Sequence, residues 1–532
     1  MKNDVKSGST RPSMKRGARL AQLSLATLCA VATVLFIRGE TILAGTLLFG
    51  ASMPALYILI VYMKSPKAKL DMRLVMSIIH MYAVSLGEAG PDELIGVVVR
   101  SPEYGFYSKI FNSVRRLAKD FGYGFSKAIL YVSKTVKPPL KDILIRFSEI
   151  FSSARPREFL ELELSTIMEE YSGLYSRMIE SMKLLGGMFS TFQSVSIFVV
   201  LTVAILMIFI TDERVVTAAY LIAIASVIIM FLAFRMISMK EPLVYVGENP
   251  SRPYRLFRLA FFIALALMPI SVAAAFLLGI PYGLMAAGAA VLLPGALAYK
   301  LEAHVTSLDE NYPTFLKALG ENLASTSDLR SALNYVLYME LGPLKELALR
   351  ASARLGVGVS GEATFTLLAS EASSYKIHMF NKIFLDAFKS GSNTVEVGKT
   401  LGNSLIRFLE FRKRRMAVAK SFEGVVMILQ PITVALLIIL GNLCRVFASM
   451  FVSLPYFEFG TVPLNIINTG NVVFILLITI LNSLAIMEAR GGFWGSSLLY
   501  AGLLFLVSGG VWIGAEYLVE QMFGQLQAPL FT

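Results

Sequence analysis

Nine apolar stretches, each close to the length a helix needs to cross the hydrocarbon core of a bilayer, divide this sequence. They run over 20–37, 41–63, 187–210, 214–236, 257–279, 281–299, 422–447, 471–487 and 496–518. The links Arg38 to Glu40, Thr211 to Glu213, and Ile280 are so short that their neighbours must form antiparallel hairpins. What remains is two long polar segments of nearly equal length, 64–186 and 300–421. Composition agrees with a chain of several crossings. Hydrophobic residues make up 55% and charged residues only 16%, which excludes a disordered chain and does not fit a soluble enzyme of this size. The two cysteines, Cys29 and Cys444, lie in apolar runs and read as small buried hydrophobes.

The orientation follows from the basic residues. With the N-terminus in the cytoplasm, 46 of the 49 Lys and Arg fall on the inner side, leaving Arg38, Arg214 and Arg445 toward the outside. The expected partition is a basic cytoplasmic tail (1–19), a transmembrane hairpin (20–63), a cytoplasmic helical domain (64–186) and four transmembrane helices (187–299). A second cytoplasmic helical domain (300–421), three transmembrane helices (422–520) and an extracellular tail (521–532) complete it. Ala30-Val31-Ala32 and Lys15-Arg16-Gly17 imitate processing sites, but both patterns arise at a first membrane helix, and the expectation is that none is cleaved.

Both polar segments carry helical periodicity. Leu160, Leu164, Ile167, Tyr171, Leu174, Met178, Met182 and Leu185 fall on one stripe, with Glu163, Glu169, Glu170, Arg177, Glu180 and Lys183 opposite. This helix is expected to run into the third crossing without a break. Ala89-Gly90-Pro91-Asp92-Glu93-Leu94 reads as a helix end followed by a start. In the second segment Phe315, Leu316, Leu319 and Leu323 form a stripe, and Ser327 is the expected N-cap of the next helix. A shift of 238 residues lays Arg177 on Arg415 and Gly186 on Gly424, in keeping with an internal repeat of hairpin, polar domain and hairpin. The expected fold is therefore an all-α polytopic membrane protein of about nine crossings with two helical-bundle domains.

Two motif fragments fail on context. Gly356-Val357-Gly358-Val359-Ser360-Gly361 has the letters of a dinucleotide fingerprint but follows a helix, not a strand. Val397-Gly398-Lys399-Thr400 lacks the glycine that a phosphate loop needs, with Asn393 in its place. No catalytic triad spacing, metal motif or other catalytic cluster is found, so the expectation is no catalytic residue, no metal, no cofactor and no enzyme. Pro269 and Pro431 are expected to kink their helices, and Gln193, Gln430 and Asn442 read as helix–helix hydrogen bonds.

The densest basic run is Arg412-Lys413-Arg414-Arg415, just before a crossing, with Arg177 and Lys183 at similar places in the first half. Two compatible roles stand open for it: anchoring to anionic lipid, and docking of an acidic cytoplasmic partner. Nucleic acid is not expected, because acids are intermixed with the bases in both segments.

The layout resembles the polytopic platform proteins of type IV pili and type II secretion, most of all their archaeal branch serving the archaellum and adhesive pili. Asp309, Pro313, Phe315 and Gly320 are similar to that family's opening of the second cytoplasmic domain. Gly342 and Leu344, then Arg354 and Leu355, and later Gly391 match further stretches. Departures are Ser392, where two glycines are often paired, and Phe365, where an aromatic that is often Trp stands. The resemblance implies a platform in the cytoplasmic membrane, on which a cytoplasmic hexameric secretion ATPase docks and above which pilin or archaellin subunits are assembled. It also implies a homodimer. The alternative reading is a transporter or channel with repeated halves, which predicts a mid-bilayer site with broken helices and buried charge.

Overall fold

The computed structural model describes residues 70–152, 156–206, 213–451 and 463–523. The expected basic tail 1–19, the first two crossings and most of the tail 521–532 lie outside the described residues, as do the motifs at 15–17 and 30–32. Chain contacts separate two units, one of 1–69 with 136–141 and one of 70–135 with 142–532. In the first, the described residues are a turn holding the cis Pro138–Pro139 bond and the start of a helix.

The second unit is all helix, with a lone β-bridge between Val244 and Ser374 among the described residues. Its first polar part comprises α1 (Met72–Ser85), α2 (Pro91–Val99), α3 (Phe106–Lys119), α4 (Phe125–Ser133) and α5 (Leu140–Ile150), the last beginning in the other unit. Then come α6 (Pro156–Leu206), α7 (Glu213–Ile237), α8 (Arg252–Leu277) and α9 (Ile280–Thr326). The second polar part holds α10 (Leu329–Val336), α11 (Lys345–Gly356), α12 (Gly361–Ala372) and α13 (Tyr375–Lys389). The chain ends with α14 (Thr394–Phe451), α15 (Leu464–Arg490) and α16 (Ser497–Phe523).

Seven of these helices, α6 to α9 and α14 to α16, are long and apolar enough to cross a membrane. They coincide with the seven expected crossings that fall within the described residues. The helix α8 leads into α9 through Leu278 and Gly279, one residue before the expected turn, and Gly279 has φ +113°. The prolines at 269, 294, 313 and 431 all lie inside continuous helices.

Three helices run from polar sequence into apolar sequence without interruption. One of them, α6, was anticipated in the stripe. Leu160, Leu164, Ile167, Tyr171, Met178 and Met182 are buried, while Leu174 and Leu185 are only partly so and Tyr175 and Gly186 join the core. Glu163, expected on the wet face, is buried and bound to Arg146 at 2.8 Å, because α5 covers that side. The second, α14, is 58 residues long, and the third, α9, is 47.

Packing fixes their relative direction. Tyr171 meets the edge of Phe411, Phe189 that of Phe422, Gln193 Nε2 donates to Thr433, and Cys444 Sγ reaches the Ala204 carbonyl. Residue numbers rise together along both chains, so α6 and α14 are parallel, at an offset close to the repeat read from sequence. Helix α9 runs the opposite way along α14, with Glu302 on Arg412, Glu310 on Lys413, and Gly320 against Thr394 and Gly398. A Cβ at Gly320 would overlap the Thr394 carbonyl, so the crossing needs glycine there. The polar halves of all three helices therefore emerge on one side of the apolar belt. The 238–251 link lies on that side too, since Tyr245 N donates to Ser373 O and Tyr375 N to Leu243 O.

The polar segments are packed on each other. Ser392 Oγ donates to Val84 O, Lys382 holds Glu103 at 2.8 Å, and His80 Nε2 lies 3.1 Å from Asp386. Pro91 opens α2 with Asp92 and Glu93 in its first turn, as the sequence suggested. At α10 the cap is Asp328, whose carboxylate accepts from Ser331 N; Ser327, the expected cap, is the left-handed residue closing α9.

Candidate functional site

The basic run sits on α14 about two to three turns before the belt, and helix phase splits it. Arg412 and Arg415 are 4% and 1% exposed, while Lys413 and Arg414 face outward. At about 100° per residue the four side chains spread over about 300°, and Arg412 and Arg415, three residues apart, share the face on which α9 and α15 pack.

Arg415 is a clamp. Its Nε donates to Ala489 O at 2.9 Å, Nη1 to Met239 O at 2.8 Å, and Nη2 to Ser238 Oγ and Glu488 O, both at 2.7 Å. One guanidinium thereby satisfies carbonyls at the C-terminal ends of both α7 and α15, where the backbone has no intrahelical partners. The space comes from Gly491. Its φ of +60° turns the chain after α15, and a Cβ there would overlap the Arg415 guanidinium.

Beside it lies a buried charge cluster. Arg412 Nη2 pairs with Glu302 at 3.2 Å, and Arg490 approaches Glu302 at 3.7 Å and Glu423 at 3.2 Å. Arg490 Nη1 donates to the Tyr500 hydroxyl, which donates to Glu423. The Arg490 guanidinium also lies over the rings of Tyr299 and Tyr500. These partners come from α9, α14, α15 and α16, so the node ties four membrane helices where the polar body begins. Buried pairs such as these add little over an apolar core, but removing one partner costs several kcal/mol.

Of the other docking candidates, Arg177 and Lys183 are exposed on α6, both nearer the belt than Lys413 is. Arg177 and Arg415, aligned by the repeat, therefore have opposite surroundings. Placement narrows the outward-facing members to Lys413, Arg414, Arg177 and Lys183. Lys413 itself rests 3.5 Å from Glu310. Arg412 and Arg415 are positioning residues inside the fold.

The residues that carried the resemblance are found in packing positions. Asp309 is buried against Lys376 at 3.1 Å and accepts from Ser374. Pro313 and Phe315 lie inside α9 and are buried, and the Tyr312 hydroxyl between them and Asp309 bonds Asn381. Gly342 has φ +52° and Leu344 is buried beneath it; Arg354 pairs with Glu371, Leu355 is half-buried, and Gly391 has φ +71°. The two discarded motifs are a turn between α11 and α12, and a stretch of α14 whose Gly398 lies against Leu316.

In the belt, polar side chains pair with one another. Gln430 donates to Thr479 and Ser508 and accepts from Asn482, and Asn471 donates to Leu437 O. In the polar body two titrations stand out. Burial lowers the His80 imidazole below its usual range, with Asp386 acting the other way. Burial would raise Glu103, but hydrogen bonds from His378 and Lys382 outweigh it and hold the carboxyl at about 2.

Fold and site together define an all-α, multi-pass membrane protein whose long helices carry a polar body on one side. Two curated relatives are similar to it, both named "Flagella accessory protein J". One, from Methanocaldococcus jannaschii, is 23% identical over 94% of this chain and 94% of its own length. The other, from Methanococcus voltae, is 26% identical over 68% of each. The resemblance read from the sequence thus holds along nearly the whole chain. No family model matches it, and no solved structure does.

Proposed function

We propose that this chain is the membrane platform of an archaellum-type filament, a non-enzymatic part that couples a cytoplasmic ATPase to the assembly of pilin-like subunits. The observation that carries this reading is mechanical. Three helices, α6, α9 and α14, pass unbroken from the polar body into the apolar belt, and a buried charge node pins the helix ends where they cross. At 1.5 Å per residue, each extends roughly 40 Å beyond the belt. A force on the polar body then reaches the membrane helices with no flexible joint between. The names of the relatives support a role in filament assembly.

In this reading the polar body faces the cytoplasm, with the N-terminus inside and the C-terminus outside, as the distribution of Lys and Arg favours. The two polar segments, 64–186 and 300–421, act as one load-bearing body. Lys413, Arg414, Arg177 and Lys183 sit at headgroup depth and engage anionic lipid, and the chain works as a homodimer. Purification of the tagged chain from native membranes tests the reading. It should bring down a hexameric ATPase and pilin-like subunits; solute flux in liposomes without either partner would favour a transporter. External labelling of a cysteine placed at Tyr338 in intact cells would also overturn it.

A further inference from the structure

The first polar segment hides a sharp segregation of charge. Between Phe106 and Thr135 stand six basic residues and one acid, Asp120, although the whole segment 64–186 carries 14 acids. Asp92 pairs with two of the six, holding Arg115 at 2.8 Å and Lys119 at 2.6 Å and offsetting one of their two charges. Arg116 is only 3.9 Å from Asp120, both well exposed, so that pair is weak. Lys109, Lys127 and Lys134 face outward with no ion pair among the described residues.

Large apolar side chains share this surface. Phe121, Tyr123 and Tyr131 are more than half exposed, and the rings of Tyr123 and Tyr131 are 6.4 Å apart. Tyr123 is held out between Gly122 and Gly124, both at positive φ. Neither glycine has a neighbour where a Cβ would go, so the turn needs them for its shape and not for space.

Stability does not account for the pattern. Arg116 and Lys119 suit the C-terminus of α3, but Lys127 stands in the first turn of α4, where a cation opposes the helix dipole. Two exposed tyrosines tilted toward each other over a bend likewise give the fold little. Among the described residues, position separates this surface from the seven-helix apolar belt. Phe125 packs on Phe151, shortly before α6 begins, and Glu93, beside Asp92, accepts from Ser390, shortly before α14 begins. The corner therefore lies at the end of the polar body remote from the belt.

We propose that the α3–α4 corner, with Lys109, Arg116, Lys127, Lys134, Tyr123 and Tyr131, is the docking surface for an acidic protein face with an apolar recess for the two tyrosines. Aromatic anchors ringed by charge are the usual composition of such a contact. It rests on the reading that a cytoplasmic ATPase drives this platform, and assigns that partner to the corner rather than to the basic residues near the membrane.

The test uses the full chain in neutral-lipid nanodiscs and the purified ATPase that co-purifies with it, by biolayer interferometry at two salt concentrations. Lys109→Glu, Arg116→Glu, Lys127→Glu and Lys134→Glu together should weaken binding roughly tenfold or more and flatten its salt dependence. Tyr123→Ser with Tyr131→Ser should weaken it through faster dissociation, and stands alone if the charge-reversed chain fails to fold. Lys413→Glu with Arg414→Glu should bind as wild type. Unchanged binding by a folded corner variant overturns the assignment while leaving the platform reading intact. Absence of ATPase binding by the wild type overturns the platform reading itself. Tighter binding of the corner to duplex DNA or to anionic vesicles overturns the choice of a protein partner.

Discussion

Arg415→Ala isolates the clamp at the base of the membrane bundle. The guanidinium is almost fully buried and donates four hydrogen bonds, three of them to carbonyls at the ends of α7 and α15. Removing it strands those acceptors, at about 1–3 kcal/mol for each that water cannot reach. Some water will enter the vacated space, so the sum does not apply. A hydrogen bond from a charged donor typically contributes about 1.5–3 kcal/mol, and with partial rehydration of the neutral acceptors the expected loss is about 2–4 kcal/mol. Arg415→Lys retains charge but not the planar fork, and should fall between. Two residues away on the same helix, Lys413→Ala removes an exposed side chain 3.5 Å from Glu310, and should change stability by less than about 0.5 kcal/mol. Thermal melting of the purified chain in detergent, followed by fluorescence of Trp494 in a Trp512→Phe background, reads the difference. That indole packs on Phe257, Phe261 and Phe493 near the node. Equal melting of Arg415→Ala and wild type would refute the clamp; so would an equal loss in Lys413→Ala.

Three further outcomes follow from the packing. Gly320→Val should destabilise by about 2–3 kcal/mol through overpacking against Thr394, whereas Gly358→Ala should be limited to its backbone strain, since nothing lies within 4 Å of a Cβ there; melting distinguishes them. Asp309→Ala leaves Lys376 buried without its carboxylate and should cost about 3–5 kcal/mol, while Asp309→Leu combined with Lys376→Met should be milder; a double-mutant cycle that shows no coupling would count against the pair. Glu103 is held at about 2, below its unfolded value, so its contribution is complete above pH 4.5 and fades as pH falls toward 2; Glu103→Gln should flatten the melting profile across that acid window.

Much of the architecture was legible from periodicity. Crossings are long apolar runs because lipid supplies no hydrogen-bond partners, so the seven that fall in described residues are easily read. The stripe from Leu160 to Met182 was equally plain, since burial on one helix face leaves a 3.6-residue signature. The cap at Asp328 was missed by one residue, because Ser and Asp compete for that role and only backbone geometry separates them. Glu163 was assigned to water because no local pattern announces that α5 will cover it. The split of the basic run was foreseeable in kind, since four helical residues cannot share a face, but not in detail.

The seven crossings among the described residues, the polar blocks between them and their place on one side of the belt were written in the order of apolar and charged residues, because those properties are local and additive along a chain. Which arginine enters the core, which glycine admits it, and which carboxylate answers it were decided only when α7, α9, α14, α15 and α16 converged. An ion pair across 110 residues, or a hydrogen bond from a guanidinium to a carbonyl 74 residues away, has no trace in local pattern, since each depends on where other helices end.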